Sequence, residues 1–337
     1  MIAKAFQKFS FTSAGISSLL LLVVTYYYLT LEIKWSFVES KILNGVLIYG
    51  SLMLSIYAID TVTRQLTIDR SNRNAYHLLL YPLVIFCYPI ESVDLKFILS
   101  STAVWAAWRN MRIFLELTNN TKKVKRLFDA MVLLSLSCLI ILDNLIIFLY
   151  PLLVLLTTNI KRDLKHFIIL FMTPLIILPS AYVLLSSLSL DGYLFSSYFF
   201  SDQLQAIDEY NSIPNSSRFF LMLLTENNFN LTYPYVPIFI VFVLFVISVI
   251  MKLSRTYSLR RRILDVIGVL FIILTSLFFS MDQQLSGSEF HYLSLPVVYM
   301  VSQIFVKKIK SLYVNFIFVL LITSIVTFKF LLWQKLQ

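Results

Sequence analysis

Residues 122–165 read KKVKRLFDAMVLLSLSCLIILDNLIIFLYPLLVLLTTNIKRDLK, and this stretch decides how the chain is organised. Its apolar part, Ala130–Thr158, is too long for one straight membrane span, which needs about 20 residues. Asp143 and Asn144 interrupt it near its middle, and basic clusters flank it on both sides. Because short cytoplasmic loops are enriched in Lys and Arg, both flanks belong on the same side. The stretch therefore predicts a hairpin of two short helices, with Asp143 at its outer tip.

The composition of the whole chain is that of a membrane protein. Of the 337 residues, 58% are hydrophobic and 14% are charged, whereas soluble domains have roughly 45–50% and about 25%. These values exclude a soluble globular enzyme. The small numbers of Gly (6) and Pro (9) exclude collagen-like and disordered chains as well. We therefore predict an all-α fold, a polytopic membrane helix bundle.

About eleven transmembrane helices are predicted when the other apolar runs are added to the two helices of the hairpin. These runs are Ser13–Leu31, Leu43–Val62, Ala75–Ile90, Phe97–Leu117, Phe167–Leu190, Val236–Met251, Ile263–Ser280, Tyr292–Val306 and Leu312–Phe330. Together they predict a single integral membrane domain that covers residues 1–337.

The Lys and Arg residues set the predicted orientation. With the N-terminus in the cytoplasm, all but six of the 28 fall on the cytoplasmic side, which is the side they favour. The six are Lys34, Lys41, Lys96, Arg218, Lys329 and Lys335. The net charge of +10 therefore indicates anionic membrane lipids as partners of the inner face, and not nucleic acid.

The predicted loops are short except for one large periplasmic loop, residues 191–235. Its aromatic stretches, 193–200 and 219–224, predict helices that lie on the membrane surface. Within it, Arg218 is the only arginine that the predicted topology places on the outer side of the membrane. A guanidinium binds a phosphate with two parallel hydrogen bonds, but Arg218 has Asp208 and Glu209 as alternative partners.

Acidic residues at the outer ends of the helices are candidates for chemistry. Glu32 directly follows the first span, where an enzyme that moves a sugar from a polyprenyl-phosphate carrier needs a base for the acceptor hydroxyl. A surface glutamate paired with Lys34 is the structural alternative. Asp143 is either a turn residue in contact with water, because Asp-Asn is a common turn pair, or a carboxylate that accepts a proton or binds a cation.

A further pattern stands at the outer start of the tenth span, where Glu289-Phe290-His291-Tyr292 is followed by Pro296. It resembles the acidic-x-basic-Tyr-x-x-x-Pro pattern of polytopic lipid-linked glycosyltransferases, in which the basic residue faces the carrier phosphate. The resemblance implies a catalytic role for Glu289 and a substrate-binding role for His291, which stands where Arg is more usual. An ordinary boundary between a span and the interface is the alternative.

Sequence signatures of metal and cofactor sites are missing. The chain has no phosphate-cradling Gly-rich loop, no HExxH and no pair of cysteines with metal-ligand spacing. Its two cysteines, Cys87 and Cys138, both lie in apolar runs, so they build neither a disulfide framework nor a thiolate site. We expect neither a metal nor a cofactor.

Five short stretches stand out in the inner half of the chain: Thr63–Thr67, Asn72–Tyr76, Cys87–Pro89, Ala106–Arg112 and Lys125–Ala130. In this order they resemble a family of polytopic inner-membrane proteins from Bacteroidota that carries only a domain-of-unknown-function label. The resemblance covers about residues 50–185. It implies a bacterial inner-membrane location and no particular activity. The family's usual Arg-Arg pair is split here by Asn110-Met111. From its position after Lys125-Arg126, Asp129 is expected to begin a helix, near the positive end of the helix dipole.

Three functions remain open from the sequence. The first is an enzyme of cell-envelope glycan assembly that transfers or polymerises sugar from a polyprenyl-phosphate-linked donor on the outer face. The second is a non-catalytic membrane subunit or scaffold that holds membrane protein partners, which the scarcity of charge inside the spans favours. A transporter comes third, because Pro174 and Pro179 are the only candidates for the broken helix that carriers use.

Overall fold

The computed structural model describes residues 5–7, 9–35, 40–66, 75–88, 90, 92–117, 119–157, 164–187, 236–253, 266–273, 287–302, 304–306 and 311–336. The described part of the chain is mostly helical, which confirms the all-α prediction. The helices are α1 (Phe11–Thr30), α2 (Lys41–Leu66), α3 (Tyr76–Cys87), α4 (Leu95–Glu116), α5 (Asn120–Ile140), α6 (Leu149–Thr157), α7 (Leu164–Ser187), α8 (Val236–Leu253), α9 (266–273), α10 (His291–Ser302) and α11 (Ser311–Leu336). Segments of 3-10 helix cover Leu142–Phe148, Ser288–Phe290 and Ile304–Val306, and the strands are β1 (Glu32–Trp35) and β2 (Ser92–Asp94).

Side-chain caps explain where several helices begin. Ser10 and Ser13 bond each other's backbone N–H groups in a capping box at the start of α1. The Asp94 carboxylate accepts from the Lys96 N–H at the start of α4, and the Asn119 side chain accepts from two N–H groups at the start of α5. Each cap satisfies backbone donors that have no partner inside the helix.

The two strands form a small parallel sheet that the sequence did not predict. Glu32 pairs with Ser92 and Ile33 pairs with Val93. The Ser288 hydroxyl extends this junction, because it donates to the Ser92 carbonyl and accepts from the Asp94 N–H, both at 2.9 Å. These contacts define one end of the bundle, which we call the strand end: β1, β2 and the 3-10 segment Ser288–Phe290.

The opposite end carries most of the described basic residues. At 1.5 Å per residue, the 22 residues of α4 extend roughly 33 Å from the strand end. Arg109 and Arg112 lie in its last two turns, and α5 begins soon afterwards with Lys122, Lys123, Lys125 and Arg126. We call this the basic end.

Among the residues that the structure describes, four helical stretches are long and apolar enough to cross a membrane, which indicates a membrane protein: Phe11–Thr30, Lys41–Thr61, Leu164–Ala181 and Leu312–Lys329. Large apolar side chains on them are exposed, for example Leu19, Leu175 and Phe316 at 63%, 65% and 63%. The apolar helices Tyr76–Cys87, Asn144–Thr157 and Val236–Met251 are shorter. The eleven-span topology and the assignment of residues 1–337 to a single domain therefore remain predictions.

The centre of the bundle is closely packed around aromatic side chains. Trp105 contacts Trp108, and Trp108 contacts Tyr299 of α10, each edge to face at about 5 Å. Gly268 of α9 lies against this cluster, because a Cβ atom there would come within 2.7 Å of Trp108 and 2.8 Å of Tyr150. Only a residue without a side chain fits at this crossing.

The central stretch of the chain is interrupted where the sequence predicted, although its first helix starts earlier. Helix α5 ends at Ile140, and Asp143 and Asn144 lie in the 3-10 segment that precedes α6. The prediction that Asp129 begins a helix is wrong, because the Asn119 cap starts α5 at Asn120. Asp129 instead lies in the third turn, 3.6 Å from Arg126.

Helix α7 runs without a break from Leu164 to Ser187 through Pro174 and Pro179. The broken helix on which the transporter hypothesis rested is therefore not present at these two prolines.

Candidate functional site at the strand end

The strand end contains a buried contact between the first and tenth helices. Tyr28, in the last turn of α1, shares a hydrogen bond of 2.8 Å with Nε2 of His291, the first residue of α10. The two rings also meet edge to face at 5.6 Å. Tyr28 is 1% and His291 2% exposed, so the imidazole faces the interior of the bundle.

Glu289 is held beside this contact by a tight turn. The turn begins at Gly287, whose φ of 81° is a left-handed conformation that side-chain-bearing residues rarely adopt. Ser288 then bonds to β2, and the Phe290 ring stacks on Tyr88 with centroids 5.2 Å apart. These anchors on both sides leave the Glu289 side chain only 3% exposed.

A hydrogen-bonded network joins the central segment to the same end. The Tyr292 hydroxyl shares its one proton between Ser100 Oγ at 2.6 Å and Asn144 Oδ1 at 3.1 Å. The Asn144 amide in turn donates to Ser100 Oγ at 2.6 Å and to the Ser137 carbonyl at 3.1 Å. The network ties α4, α5 and α10 together beside Asp143, and Asn144 is fully buried.

The structure places four of the five residues predicted from sequence at or next to the strand end, Asp143 through the bond of its neighbour Asn144 to Tyr292. Glu32 opens β1, Glu289 and His291 flank Phe290, and Asp143 precedes Asn144. All four positions therefore belong to the strand end or adjoin it. Arg218, the remaining residue, and the surrounding loop 191–235 lie outside the described residues.

This arrangement differs in one respect from an open active site. A carboxylate and an imidazole are groups that transfer protons, but the Glu289 and His291 side chains are enclosed. A narrow pocket among the described residues lies elsewhere, in the apolar interior lined by Trp108, Tyr150, Gly268 and their neighbours. The described residues also hold no cluster of three or more His, Cys, Asp or Glu that suits a metal ion.

Sequence reasoning missed two buried polar sites nearer the basic end. Asp60 of α2 and His77 of α3 lie 3.1 Å apart, and both are less than 10% exposed. Arg112, 5% exposed, donates to the Tyr299 hydroxyl and lies 5.8 Å from the centre of the Trp108 ring. The signal was available, because Asp60 and His77 fall inside predicted spans, where ionisable residues are functional candidates by default.

Comparisons of the chain with protein-family models, with curated proteins and with solved structures found no match. The resemblances to the Bacteroidota family and to lipid-linked glycosyltransferases therefore remain predictions from the sequence.

Proposed function

We propose that this chain is a multi-pass inner-membrane protein of cell-envelope glycan assembly, which transfers or polymerises sugar from a polyprenyl-phosphate-linked donor on the outer face. One observation carries the proposal: segments around residues 32, 143 and 289–291 meet at a single end of the bundle. An enzyme needs such convergence, because its acid, base and substrate contacts come from different parts of the chain.

In this proposal the chain has eleven spans, its N-terminus lies in the cytoplasm and the strand end faces outwards. Glu32 acts as the base for the acceptor hydroxyl, and Glu289 acts as the second carboxylate. Arg218 and His291 bind the donor, and Asp143 lies at the mouth of the site. The buried state of Glu289 and His291 implies that the donor enters when α10 and α1 separate at the Tyr28–His291 contact.

Substitution of the two glutamates tests the enzymatic proposal. In cells whose only copy is the variant, Glu289→Gln and Glu32→Ala are each expected to lower surface glycan at least tenfold, since general acid–base groups contribute about 10²–10⁴-fold to rate. Glu116→Gln is the matched control, because Glu116 is the last residue of α4 and lies at the basic end, away from the strand end. Normal glycan from both test variants, with normal protein levels, contradicts the proposal.

A non-catalytic subunit or scaffold of an envelope complex is the second candidate. The enclosure of Glu289 and His291 favours it, because a structural role requires no open site. Under this candidate the chain co-purifies with other membrane proteins in mild detergent, and Glu289→Gln leaves that complex and the surface glycan intact. Recovery of the chain alone at native expression levels counts against it.

A further inference from the structure

Lys329 is a cation in an unusual position for this molecule. It is the last residue of the apolar stretch Leu312–Lys329, and its side chain is partly buried. Ionisable residues inside the apolar part of a membrane helix are costly and are therefore candidates for function. Lys329 is also one of the few Lys or Arg residues on the predicted outer side.

Aromatic rings of α1 and α11 contact the Lys329 ammonium group. It donates a hydrogen bond of 3.0 Å to the Tyr27 hydroxyl of α1, and it lies 4.3 Å from the Tyr27 ring centre and 5.3 Å from that of Phe328. Tyr27 also contacts Phe86 of α3, with centroids 6.3 Å apart. These contacts hold the ammonium at a defined point between α1, α3 and α11.

This position adjoins the candidate site. Tyr27 lies beside Tyr28, with ring centroids 6.1 Å apart, and Tyr28 bonds His291. Because α1 leads directly into β1, the Lys329 contact lies at the strand end. Two side chains therefore connect the ammonium to the imidazole.

The Lys329–Tyr27 contact, which we call the α1–α11 seam, is flanked by exposed residues. Tyr26 is 72% and Val326 is 62% exposed on the two helices, whereas Tyr28 and Phe328 are buried. A lipid chain that lies against these exposed residues therefore passes beside the ammonium.

The charge of the site indicates the kind of ligand. An ammonium group has three N–H donors and one of them binds Tyr27, so donors remain for a ligand. The aromatic rings attract the cation but carry no charge that neutralises it, and no carboxylate whose side chain the structure describes forms an ion pair with it. An anionic oxygen group at headgroup depth fits this arrangement.

We infer that Lys329 and Tyr27 bind the phosphate of a membrane lipid at the strand end. The inference rests on the proposed function only where the lipid is concerned: a polyprenyl phosphate is the carrier that function requires, and an anionic phospholipid is the other source of the same group. The aromatic contacts position the ammonium, and the acyl or prenyl chain lies along the α1–α11 seam.

Lipid retention by the purified full-length protein tests this site. The wild type and the variants Lys329→Gln, Lys329→Arg and Tyr27→Phe are placed in nanodiscs of zwitterionic lipid. Each is then titrated with undecaprenyl phosphate or with phosphatidylglycerol, and bound lipid is counted by native mass spectrometry. Lys41→Gln is the matched control, because it removes an exposed lysine at the start of α2, which follows β1 at the same end.

The expected results separate charge from structure. Lys329→Gln should weaken phosphate-lipid binding at least tenfold, Lys329→Arg should stay within about threefold of the wild type because both cations bind phosphate, and Lys41→Gln should change nothing. Tyr27→Phe should fall between Lys329→Gln and Lys329→Arg, since it keeps the ring and loses the hydroxyl. Equal binding by the wild type and Lys329→Gln, with both folded, overturns the site.

The two lipids distinguish the source of the phosphate and separate this site from the proposed function. A Lys329-dependent loss for undecaprenyl phosphate alone assigns a carrier site, and an equal loss for both lipids assigns a phospholipid site. If Lys329→Gln loses lipid while Glu32→Ala and Glu289→Gln keep normal glycan, the lipid site stands and the enzymatic proposal fails. If those two variants lose glycan while Lys329→Gln keeps lipid, the enzymatic proposal stands and the lipid site fails.

Discussion

The two ends of the bundle are held together by different kinds of contact. At the strand end, hydrogen bonds join residues that are far apart in the sequence, such as Tyr28 with His291 and Asn144 with Tyr292. At the basic end, the ion pair of Arg126 with Asp129 lies within one helix, as does the longer contact of Arg112 with Glu116. Three contacts at or near this end do join different helices: Arg112 with Tyr299, Arg126 with Asn110, and Asp60 with His77.

The difference shows which end depends on the complete fold. Contacts between residues three or four apart form wherever the helix forms, and pairs that face solvent contribute little to stability. Buried contacts between distant segments form only after the helices have packed, and each buried polar group that loses its partner costs free energy. A site at the strand end is therefore a property of tertiary structure, whereas the exposed ion pairs of the basic end follow from local sequence.

The largest effect on stability is expected at the packing between the two ends. Gly268→Ala introduces a Cβ atom within 3 Å of the Trp108 and Tyr150 rings, so these side chains must shift. We expect a loss of about 2 kcal/mol in the free energy of unfolding, measured by SDS titration in mild detergent. Gly50→Ala, where the added Cβ meets no atom within 4 Å, should stay near the wild type. Equal stability of the two variants would contradict the packing described here.

Substitution of two buried asparagines allows the stability of the two ends to be compared directly. Asn144→Leu removes hydrogen bonds to Ser100, Ser137 and Tyr292 in the interior of the strand end. We expect it to cost about 1–2 kcal/mol of unfolding free energy.

Asn110→Leu is the matched variant at the basic end, where the partner of the amide is the Arg126 side chain. Because Arg126 is 39% exposed and water can replace the amide, the expected cost is below about 1 kcal/mol. A larger cost for Asn110→Leu than for Asn144→Leu would reverse the comparison.

The turn before Glu289 should be sensitive to the backbone alone. Gly287→Ala places a side chain at a φ of 81°, which costs about 1 kcal/mol for an L-residue. Thermal unfolding in detergent measures this loss, and Gly15→Ala, in an open position on α1, serves as the control. An unchanged melting temperature would mean that the turn at Gly287 does not hold the strand end.

The smallest effect is expected for the surface ion pair of the basic end. Asp129→Asn removes a contact of 3.6 Å between side chains that are 39% and 33% exposed. Pairs of this kind contribute about 0–0.5 kcal/mol, and 0.5 M NaCl should remove the remaining difference from the wild type. A loss that persists at high salt would show that Asp129 has a structural role beyond this pair.

The sequence predicted helices better than it predicted the site. Apolar runs located the helices, and the pair Asp143-Asn144 located the break after α5, because both signals are local. Asp129 was placed wrongly because charge near a helix start was weighed above the side-chain cap at Asn119. The strands β1 and β2 were missed because they are only four and three residues long and pair across about 60 positions of the chain.

The candidate residues were chosen by depth in the membrane, and their burial was not predictable. His291 was expected to face a ligand, whereas its Nε2 atom shares a buried hydrogen bond with the Tyr28 hydroxyl. That partner lies 263 positions away, and no local pattern around His291 indicates it. Lys329 was recognised as an outer cation, but its contact with Tyr27 joins residues 302 positions apart and has no local signal in the sequence.

Which end of the bundle faces outwards is the central claim, because the proposed site and the lipid-phosphate site both require the strand end to be outside. Cysteine labelling of intact spheroplasts with a membrane-impermeant maleimide tests it, since the native Cys87 and Cys138 are buried. Lys41→Cys, exposed at the start of α2, should react without permeabilisation, and Lys122→Cys, exposed at the start of α5, should react only after it. Labelling of Lys122→Cys alone in intact spheroplasts would place the basic end outside and contradict the account.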